Sequence, residues 1–439
     1  MNLNHNENQS LSNYRVVPRL VKAGVKETVT IYPIGKCMAF DDSVEYEVRF
    51  IPMELYTQDR LEYSMDVWDT VKAHSKGGII SVEYTFEGEQ EWVILIPHKY
   101  SNGEEFRFEA HVYSLEEDLY ALNPYMGDLH SHSFGSDGLN SPEIMAANYR
   151  KQGYDFVALT DHFKLSPSLE MIKAYEDVPI PIKLFQGEEV HRPSSWLHVV
   201  NFGGKYSVND LYDKNKEKID AELKAEAEKI KVPKGINAYE YVCRKWISTE
   251  IRKSGGFVII PHPYWHFQKT YHVSSVMLDY IFETGLHDAF ELIGAPGMHE
   301  INLQIAFYQD QRAKGRNIPI VGSSDSHDTD PVIHFGEGRT VLFAKDLEFD
   351  TVCDAIRNGY TAAIRQEYGE SARVYGTYRM VKYARFLLDY YFPAHDELCV
   401  EEGILMREYA LGDENAKEKL LSLDGRTAKY MNWVLKAKK

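Results

Sequence analysis

From about Tyr125 onward, short apolar segments alternate with helical segments, and most of the apolar segments end in His, Asp or Glu. These segments are YDFVALT, IKLFQG, LHVVNFG, GFVIIPH, DAFELIG, IPIVGSS and RTVLFA. The alternation predicts an α/β fold in which a parallel sheet or barrel is covered by helices. In barrels of this kind the carboxyl ends of the strands converge on the active site. We therefore expect the polar residues that end these segments to share one cavity.

The densest group of polar residues is GDLHSHSFGSDG, residues 127–138. His130 and His132 are two positions apart on a predicted strand, so both side chains point to one face and can bind the same cation. Asp137 follows in a glycine-flanked turn that can return its carboxylate to that face.

Further imidazoles and carboxylates follow the later segments: Asp161 and His162 in TDH, Glu188, Glu189 and His191 in GEEVH, His198 in the next segment, His262 in HPYW, and Asp325 and His327 in SSDSHD. Burying so many such groups separately would carry a heavy desolvation cost. Divalent cations are a partner that imidazole and carboxylate have in common, so the sequence predicts a metal site.

In this order, the elements HxH…SDG, TDH, GxE, HP and DSH resemble the PHP (polymerase and histidinol phosphatase) superfamily of metal-dependent phosphoesterases. The resemblance runs from about residue 127 to residue 328, roughly half of the chain, and implies a distorted (β/α)7 barrel with a trinuclear metal site. It assigns His130, His132, Glu189 and Asp325 to one metal, Glu189, His198 and His262 to a second, and Asp137, His162 and His327 to a third. The residues it implies as catalytic are Asp137, His162, Glu189 and Asp325.

Two positions, 137 and 188–189, affect what the resemblance implies about the substrate and the bridging ligand. The SDG form, with Asp137 where some members carry His, resembles the branch that acts on nucleotides and oligonucleotides. Glu189 is preferred to Glu188 as the residue bridging two metals because the acid stands third in GxE, and Glu188 stays the alternative.

The charge of the implied site indicates its substrate. Three divalent cations, three carboxylates and one hydroxide leave a local charge of about +2, which would attract a phosphate dianion. A metal-bound hydroxide would then attack phosphorus. The mixture of imidazole and carboxylate favours two to three ions of Mn, Fe or Zn. The predicted function is hydrolysis of a phosphomonoester or phosphodiester, with a nucleotide or oligonucleotide among the candidates.

Two other functions stay open from the sequence. The same site could hydrolyse an amide or a lactone, or the chain could be a non-catalytic metal-binding interaction protein. With 49 Lys and Arg against 66 Asp and Glu, the net charge of −17 argues against stable binding of duplex nucleic acid or of an anionic membrane. The predicted partner is thus a small phosphorylated molecule, and the sequence gives no indication of oligomeric state.

Four residues are candidates for binding the substrate phosphate. Lys164, Arg192 and His266 follow predicted ligands closely, and Arg365 lies just beyond the last apolar segment. For each of them, a surface or salt-bridged role is the alternative. Asp128 and Asp161 neighbour predicted ligands and are expected to orient imidazoles.

The remaining sequence suggests four parts. Residues 1–16 are expected to be a loose tail, 17–122 a small antiparallel β-sandwich, 123–368 the barrel with a helical insertion near 208–254, and 369–439 a C-terminal helical extension. The sandwich prediction rests on alternating strands such as VEYEVRFI and FRFEAHVY. The aromatic segment YARFLLDYYFP in the extension is expected to pack on the barrel. Four scattered cysteines and a polar start predict a cytoplasmic protein.

Overall fold

A computed structural model describes residues 13–35, 38–54, 68–99, 105–267, 269–294, 297–329, 335–367 and 369–438. The chain forms two compact units. The first unit comprises Met1–Asn123, Lys382–Leu398 and Gly425–Lys439, and the second comprises Pro124–Val381 and Cys399–Asp424.

The strands are β1 Tyr14–Val17, β2 Leu20–Lys22, β3 Lys26–Pro33, β4 Glu45–Pro52, β5 Asp69–His74, β6 Ile80–Thr85, β7 Gln90–Lys99, β8 Glu105–Leu115, β9 Asn123–Asp128, β10 Phe156–Ala158, β11 Lys183–Phe185, β12 Gly187–Val190, β13 Val199–Phe202, β14 Phe257–Ile260, β15 His266–Phe267, β16 Thr270–Tyr271, β17 Ala289–Ile293, β18 Ile320–Gly322, β19 Gly338–Ala344, β20 Thr361–Arg365 and β21 Arg373–Tyr375. The helices are α1 Glu117–Tyr120, α2 Pro142–Lys151, α3 Ser166–Lys173, α4 Val208–Lys214, α5 Lys216–Ala227, α6 Ala238–Lys253, α7 Ser275–Glu283, α8 Met298–Ala313, α9 Phe349–Arg357, α10 Tyr378–Tyr390, α11 Phe392–Ala410, α12 Glu414–Leu423 and α13 Arg426–Lys436.

The first unit contains two sheets, β1-β3-β6 and β2-β8-β7-β4-β5. Their pairings are antiparallel apart from the parallel pair β2–β8. Because side chains alternate along a strand, one face of each sheet is apolar. Val29 and Ile31 of the smaller sheet share a hydrophobic core with Tyr46, Val48 and Phe50 of the larger one. The two sheets are thus joined through a common core.

The limits predicted for the tail and for the C-terminal extension need correction. Residues 1–12 lie outside the described residues, whereas residues 14–17, expected to be loose up to residue 16, form β1 and pair with β3. Residues 369–439 do not form a separate extension, since their segments divide between the two units. The aromatic segment packs within the first unit: the rings of Tyr383 and Phe386 lie 5.4 and 5.2 Å from Tyr113 of β8.

The second unit is a mixed α/β structure with two main sheets, β11-β10-β9-β19-β20-β21 and β12-β13-β14-β17-β18. All seven apolar segments of the sequence contain strands. Pairing is parallel at β9–β10–β11 and β14–β17–β18, and antiparallel at β12–β13–β14 and β19–β20–β21. The sequence predicted a parallel sheet or a distorted (β/α)7 barrel. In the structure β13 and β14, both among the seven predicted segments, pair antiparallel, and β12, β20 and β21 add further antiparallel pairs. Side chains of both sheets, including Phe156 and Ile259, form one core cluster.

Helices α4, α5 and α6 occupy residues 208–253, where the sequence predicted a helical insertion. Asn215 separates α4 from α5, and Ile219 and Leu223 of α5 are buried. Helix α2 begins after Ser141 with Pro142 at its start, and the Ser141 hydroxyl bonds Glu143 rather than a backbone amide. Among the described residues, no helix is both long enough and apolar enough to cross a membrane.

Candidate metal centre

The nine predicted metal ligands lie in one connected cluster in the second unit. Each follows or occupies the end of a strand: His130 and His132 follow β9, His162 follows β10, Glu189 lies in β12, His198 precedes β13, His262 follows β14, and Asp325 and His327 follow β18. Asp137 lies in the turn after His132. Isolated parallel bridges join Ser131 to Ser326 and His162 to Glu189, and so hold the strand ends together. The expected convergence on one cavity is therefore present in the fold.

The Glu189 carboxylate is the centre of this cluster. Its Oε2 lies 3.7, 3.8, 2.6 and 3.1 Å from nitrogens of His130, His132, His162 and His191, and its Oε1 lies 2.9 and 3.3 Å from nitrogens of His198 and His262. The Glu189 side chain is fully buried. One carboxylate thus lies among six imidazole nitrogens.

A second feature is the close approach of His130, His132 and Asp325. The Nε2 atoms of His130 and His132 are 3.2 Å apart, and both face Oδ1 of Asp325, at 3.3 and 2.9 Å. Two imidazole nitrogens and a carboxylate oxygen at one point form a set of donors that suits a divalent cation.

Asp137, His162 and His327 form the third group. The Asp137 oxygens lie 3.4 Å from Nε2 of His162 and 3.4 Å from Nε2 of His327. The turn that carries Asp137 requires glycine at position 138, because a Cβ there would lie 2.5 Å from the carbonyl oxygen of His132. The SDG sequence therefore has a steric basis in addition to its carboxylate.

Glu188 and Glu189 point to opposite faces of β12, as successive residues of a strand must. Glu188 lies away from the imidazoles and accepts hydrogen bonds from Ser207, Asn209, Asn201 and the backbone amide of Val208. Only the Glu189 carboxylate reaches the cluster. The geometry thus favours Glu189 over Glu188 as the residue able to bridge two cations.

Backbone strain is concentrated at this cluster. Five non-glycine residues of the described chain have a positive φ, and two of them are the candidate ligands His262 (22°) and Asp325 (53°). A third, Phe163 (63°), directly follows His162. Such conformations are costly for residues with a Cβ and persist where the surroundings over-determine them, which is frequently the case at functional sites.

The protonation of the cluster is set by competition between burial and the neighbouring charges. Burial disfavours a charged Glu189, but the imidazoles of His198, His191 and their neighbours hold its pKa well below the usual range. Burial also opposes protonation of His162, yet the neighbouring carboxylates of Asp137 and Glu189, at 3.4 and 2.6 Å, raise its pKa to about 10. Burial prevails at His198, where it lowers the pKa to about 4. The carboxylate is thus ready to bind cations, which must displace the proton from His162.

The residues present fit divalent cations. Glu189 is buried and neither of its oxygens accepts a hydrogen bond of normal geometry from the described residues, although imidazole nitrogens surround both. Nδ1 of His198, which lies 2.9 Å from Oε1 of Glu189, is buried and unpaired in the same sense. Leaving a buried polar group unsatisfied costs about 1–3 kcal/mol each. Cations between these atoms would satisfy several of them together.

The residues expected to orient the imidazoles have other partners. Asp128 accepts hydrogen bonds from the hydroxyls of Ser324 and Tyr149, and burial raises its pKa to about 7. Asp161 accepts hydrogen bonds from the hydroxyls of Ser133 and Ser136. Both carboxylates therefore fix the loops that carry the ligands instead of contacting an imidazole.

Three residues outside the nine predicted ligands also contribute to the cluster. Glu291 of β17 lies 2.9 Å from Nδ1 of His130 and so orients that ring. His191 lies 2.7 Å from His162 and has a signal in the sequence, since it follows Glu189 by two positions on one strand face. His272 is buried with its ring 4.4 Å from that of His198, and no periodic pattern marks it.

A cavity of about 380 Å³ opens on the cluster. Its wall is formed by Asp137, Leu139, His162, His198, His262, Trp265, Ser324, Asp325, Ser326, His327 and Asp328. No Lys or Arg is among these described residues, so the positive charge that an anionic substrate requires would have to come from cations. Leu139 is 69% exposed and, with Trp265, offers apolar surface beside the ligands.

Three of the four proposed phosphate-binding residues are outside this wall and have other contacts. Lys164 donates a hydrogen bond to the carbonyl oxygen of Gly135, at 2.7 Å. Arg192 donates to Asp213, also at 2.7 Å, and His266 is exposed on β15. These three residues follow predicted ligands closely in the sequence, but their side chains do not line the cavity. Their role in phosphate binding stays a prediction.

Arg365 is also outside the cavity wall. It is buried in β20 and forms an ion pair with Glu337, at 2.5 Å. Because its charge is compensated by this carboxylate, Arg365 has the alternative, salt-bridged role rather than a phosphate-binding one.

No family model matches this chain, and no curated protein matches it. Among solved structures, the chain is similar to a two-domain protein from Bacteroides vulgatus containing a predicted PHP-like metal-dependent phosphoesterase, with 18% identity over 55% of this chain and 65% of that chain and a TM-score of 0.40. It therefore spans slightly less than two thirds of that protein. It is also similar to a candidate metal-dependent phosphoesterase from Bifidobacterium adolescentis, with 16% identity over 52% and 95% of the two chains and a TM-score of 0.36. A third similar structure is endonuclease Q with a duplex substrate carrying an abasic lesion, with 14% identity over 54% and 57% and a TM-score of 0.32. One of these neighbours is described as PHP-like, which is the superfamily that the sequence motifs resemble.

Proposed function

We propose that this protein is a metal-dependent phosphoesterase that hydrolyses a phosphomonoester or phosphodiester in the cavity above Glu189. The observation that supports this most strongly is the buried Glu189 carboxylate, whose two oxygens lie within 3.8 Å of six imidazole nitrogens without accepting an aligned hydrogen bond from the described residues. A carboxylate in such surroundings is suited to bridging cations.

Each group of residues has a defined part in this proposal. His130, His132, Glu189 and Asp325 would hold one cation, Glu189, His198 and His262 a second, and Asp137, His162 and His327 a third. Two to three ions of Mn, Fe or Zn suit this mixture of imidazole and carboxylate. When bound, such cations lower the pKa of a coordinated water to near neutrality and stabilise the negative charge on phosphoryl oxygens.

The chain's own residues supply position and environment. Glu291 holds the His130 ring through Nδ1, which leaves Nε2 directed at Asp325 and His132. Trp265 and Leu139 in the cavity wall would contact the organic part of the substrate and exclude water from one side of it. A nucleotide is a candidate because a flat base would cover this apolar surface.

Metal content and substrate preference test the proposal together. Purified protein supplied with Mn²⁺ is assayed on p-nitrophenyl phosphate, bis(p-nitrophenyl) phosphate and p-nitroacetanilide, and its metals are counted by mass spectrometry. We expect two to three ions per chain and Mn²⁺-dependent release of p-nitrophenol from at least one ester.

Variants connect the activity to the site. His130→Ala and Asp325→Asn should lower kcat/KM by roughly 1,000-fold or more, whereas the matched control His74→Ala, at an exposed strand end of the first unit, should leave it unchanged. Faster cleavage of the anilide than of either ester would favour an amide hydrolase. Absence of bound metal would favour a non-catalytic protein.

A further inference from the structure

The first unit contains a cavity of about 410 Å³ that is separate from the metal cluster. It lies between β1 and the segments of α10, α11 and α13 that belong to this unit. Eight of its wall residues are aromatic or aliphatic, its charged residues are Arg15, Arg19 and Glu397, and about half of the wall surface is polar. A concave wall that combines aromatic rings with a few fixed polar and charged groups can bind a small polar molecule.

Arg19 is the feature of this cavity that most needs an explanation. Its residue surface is only 3% exposed, and its guanidinium makes one hydrogen bond, from Nη1 to the carbonyl oxygen of His111. Within the described part of the chain, no carboxylate oxygen lies within the 4.0 Å of an ion pair with it. Burial lowers the pKa of Arg19 to about 10, against the opposing effects of Tyr430 and Tyr390, so the group is still a cation at neutral pH.

The other charged groups of the cavity leave an excess of positive charge. Arg15 is exposed at its edge, and Glu397, on α11, is exposed as well. Two guanidiniums against one carboxylate give a net charge of +1.

Two tyrosines fix the arginines in place. The Arg19 guanidinium lies 5.7 Å from the centre of the Tyr390 ring, and that of Arg15 lies 5.6 Å from the centre of the Tyr430 ring. Cation–π contacts of this kind orient a guanidinium without neutralising its charge. The cavity thus offers preorganised donors beside flat apolar surface, which matches an anion attached to an aromatic or similarly flat body.

We propose that this cavity is a binding site for a small organic anion, a carboxylate or phosphonate-like group carried on a flat apolar body, with Arg19 as its main charged partner. The site is independent of the metal centre. A ligand there would act on the first unit rather than take part in hydrolysis.

Three matched probes test the proposal by calorimetry on the full-length protein with its metals. Benzoate and phenylphosphonate carry the anion on a phenyl ring, and benzamide is the neutral counterpart of benzoate. We expect saturable binding of benzoate, with benzamide weaker by about tenfold or more because the charge is lost. The benzoate affinity should be the same after the metals are removed with EDTA, which separates this site from the metal centre. Phenylphosphonate that still binds in EDTA would show that the site accepts both kinds of anion.

Variants identify the residues. Arg19→Gln should weaken benzoate binding by about tenfold, Arg15→Gln should weaken it by a smaller factor, and Lys72→Gln, at an exposed position of the same unit, should have no effect. If Arg19→Gln does not fold, as circular dichroism would show, Arg15→Gln and the benzoate–benzamide comparison on the wild type decide the matter. Equal affinities for benzoate and benzamide, no saturable binding up to about 10 mM, or binding that disappears with EDTA would each overturn the proposal.

Discussion

Replacing Glu189 by Gln removes a negative charge that lies among six imidazole nitrogens. Its effect on the stability of the fold can be estimated from the structure. In the metal-free protein, neighbouring carboxylates outweigh burial and raise the pKa of His162 to about 10 and that of His130 well above its ordinary value. Both rings therefore carry protons at neutral pH, with Glu189 as a close counterion of His162 and as one of three carboxylates around His130. Removing one partner of a buried charge pair costs about 3–5 kcal/mol. For a unit of this size, that loss lowers Tm by roughly 6–20 °C.

The matched control is Glu188→Gln, the same substitution one residue earlier on the opposite face of β12. It should also lower stability, because the Glu188 carboxylate accepts four hydrogen bonds, but it should not affect the metals. At 1,000 times its dissociation constant, a bound ion stabilises the fold by about 4 kcal/mol. Mn²⁺ should therefore raise the Tm of the wild type and of Glu188→Gln alike, as measured by differential scanning calorimetry. A Glu189→Gln protein that gains the same Tm from Mn²⁺ and binds the wild-type number of ions would refute the reasoning.

Three further outcomes are expected. Cations must displace the proton that His162 holds, because its pKa is raised to about 10. The apparent Mn²⁺ affinity should therefore rise by about tenfold per pH unit, for each proton displaced, between about pH 6 and 8. Calorimetry in two buffers counts the released protons, and a Mn²⁺ affinity that does not change with pH would contradict this. Gly138→Ala would place a Cβ 2.5 Å from the carbonyl oxygen of His132 and so displace the turn that carries Asp137. Elemental analysis should then show the loss of about one ion per chain, with an unchanged circular dichroism spectrum. A Gly138→Ala protein with the full number of ions would contradict this prediction. Although burial opposes protonation, hydrogen bonds to two glutamates raise the pKa of His111 in the folded first unit. Protonated His111 therefore stabilises the fold fully below about pH 6.5, and this stabilisation is lost as the pH rises through the raised pKa. Tm measured against pH for the wild type and for His111→Gln checks this, and identical profiles would disprove it.

The clustering of the candidate ligands could be predicted because it depends on two regular features of the chain. Most of them follow a strand directly, and the carboxyl ends of such strands meet at one edge. His130 and His132 share a face for the simple reason that strand side chains alternate. These rules act over a few residues, so they can be read without knowledge of the packing.

Features that depend on pairing between distant segments could not be predicted. The resemblance favoured Glu189 over Glu188, but the physical reason for that choice, the face of β12 on which each carboxylate lies, could not be derived from the residues alone. The position of Arg365 after the last apolar segment suggested a phosphate-binding role, but its ion pair with Glu337 depends on contacts that the sequence does not show. Nothing in the order of residues indicates that His272 reaches His198.

The division of the C-terminal helices followed the same principle. Their apolar faces are evident from the sequence, but the identity of the surface that covers them depends on the path of the chain. Tyr383 packs against Tyr113, and both belong to the first unit.

Anomalous X-ray diffraction from crystals grown with Mn²⁺ shows directly whether Glu189 binds cations. We expect two to three anomalous peaks within the cavity of the second unit, with oxygens of Glu189 about 2.0–2.3 Å from at least one of them. Peaks confined to other parts of the surface, with no ion in contact with Glu189, would contradict it.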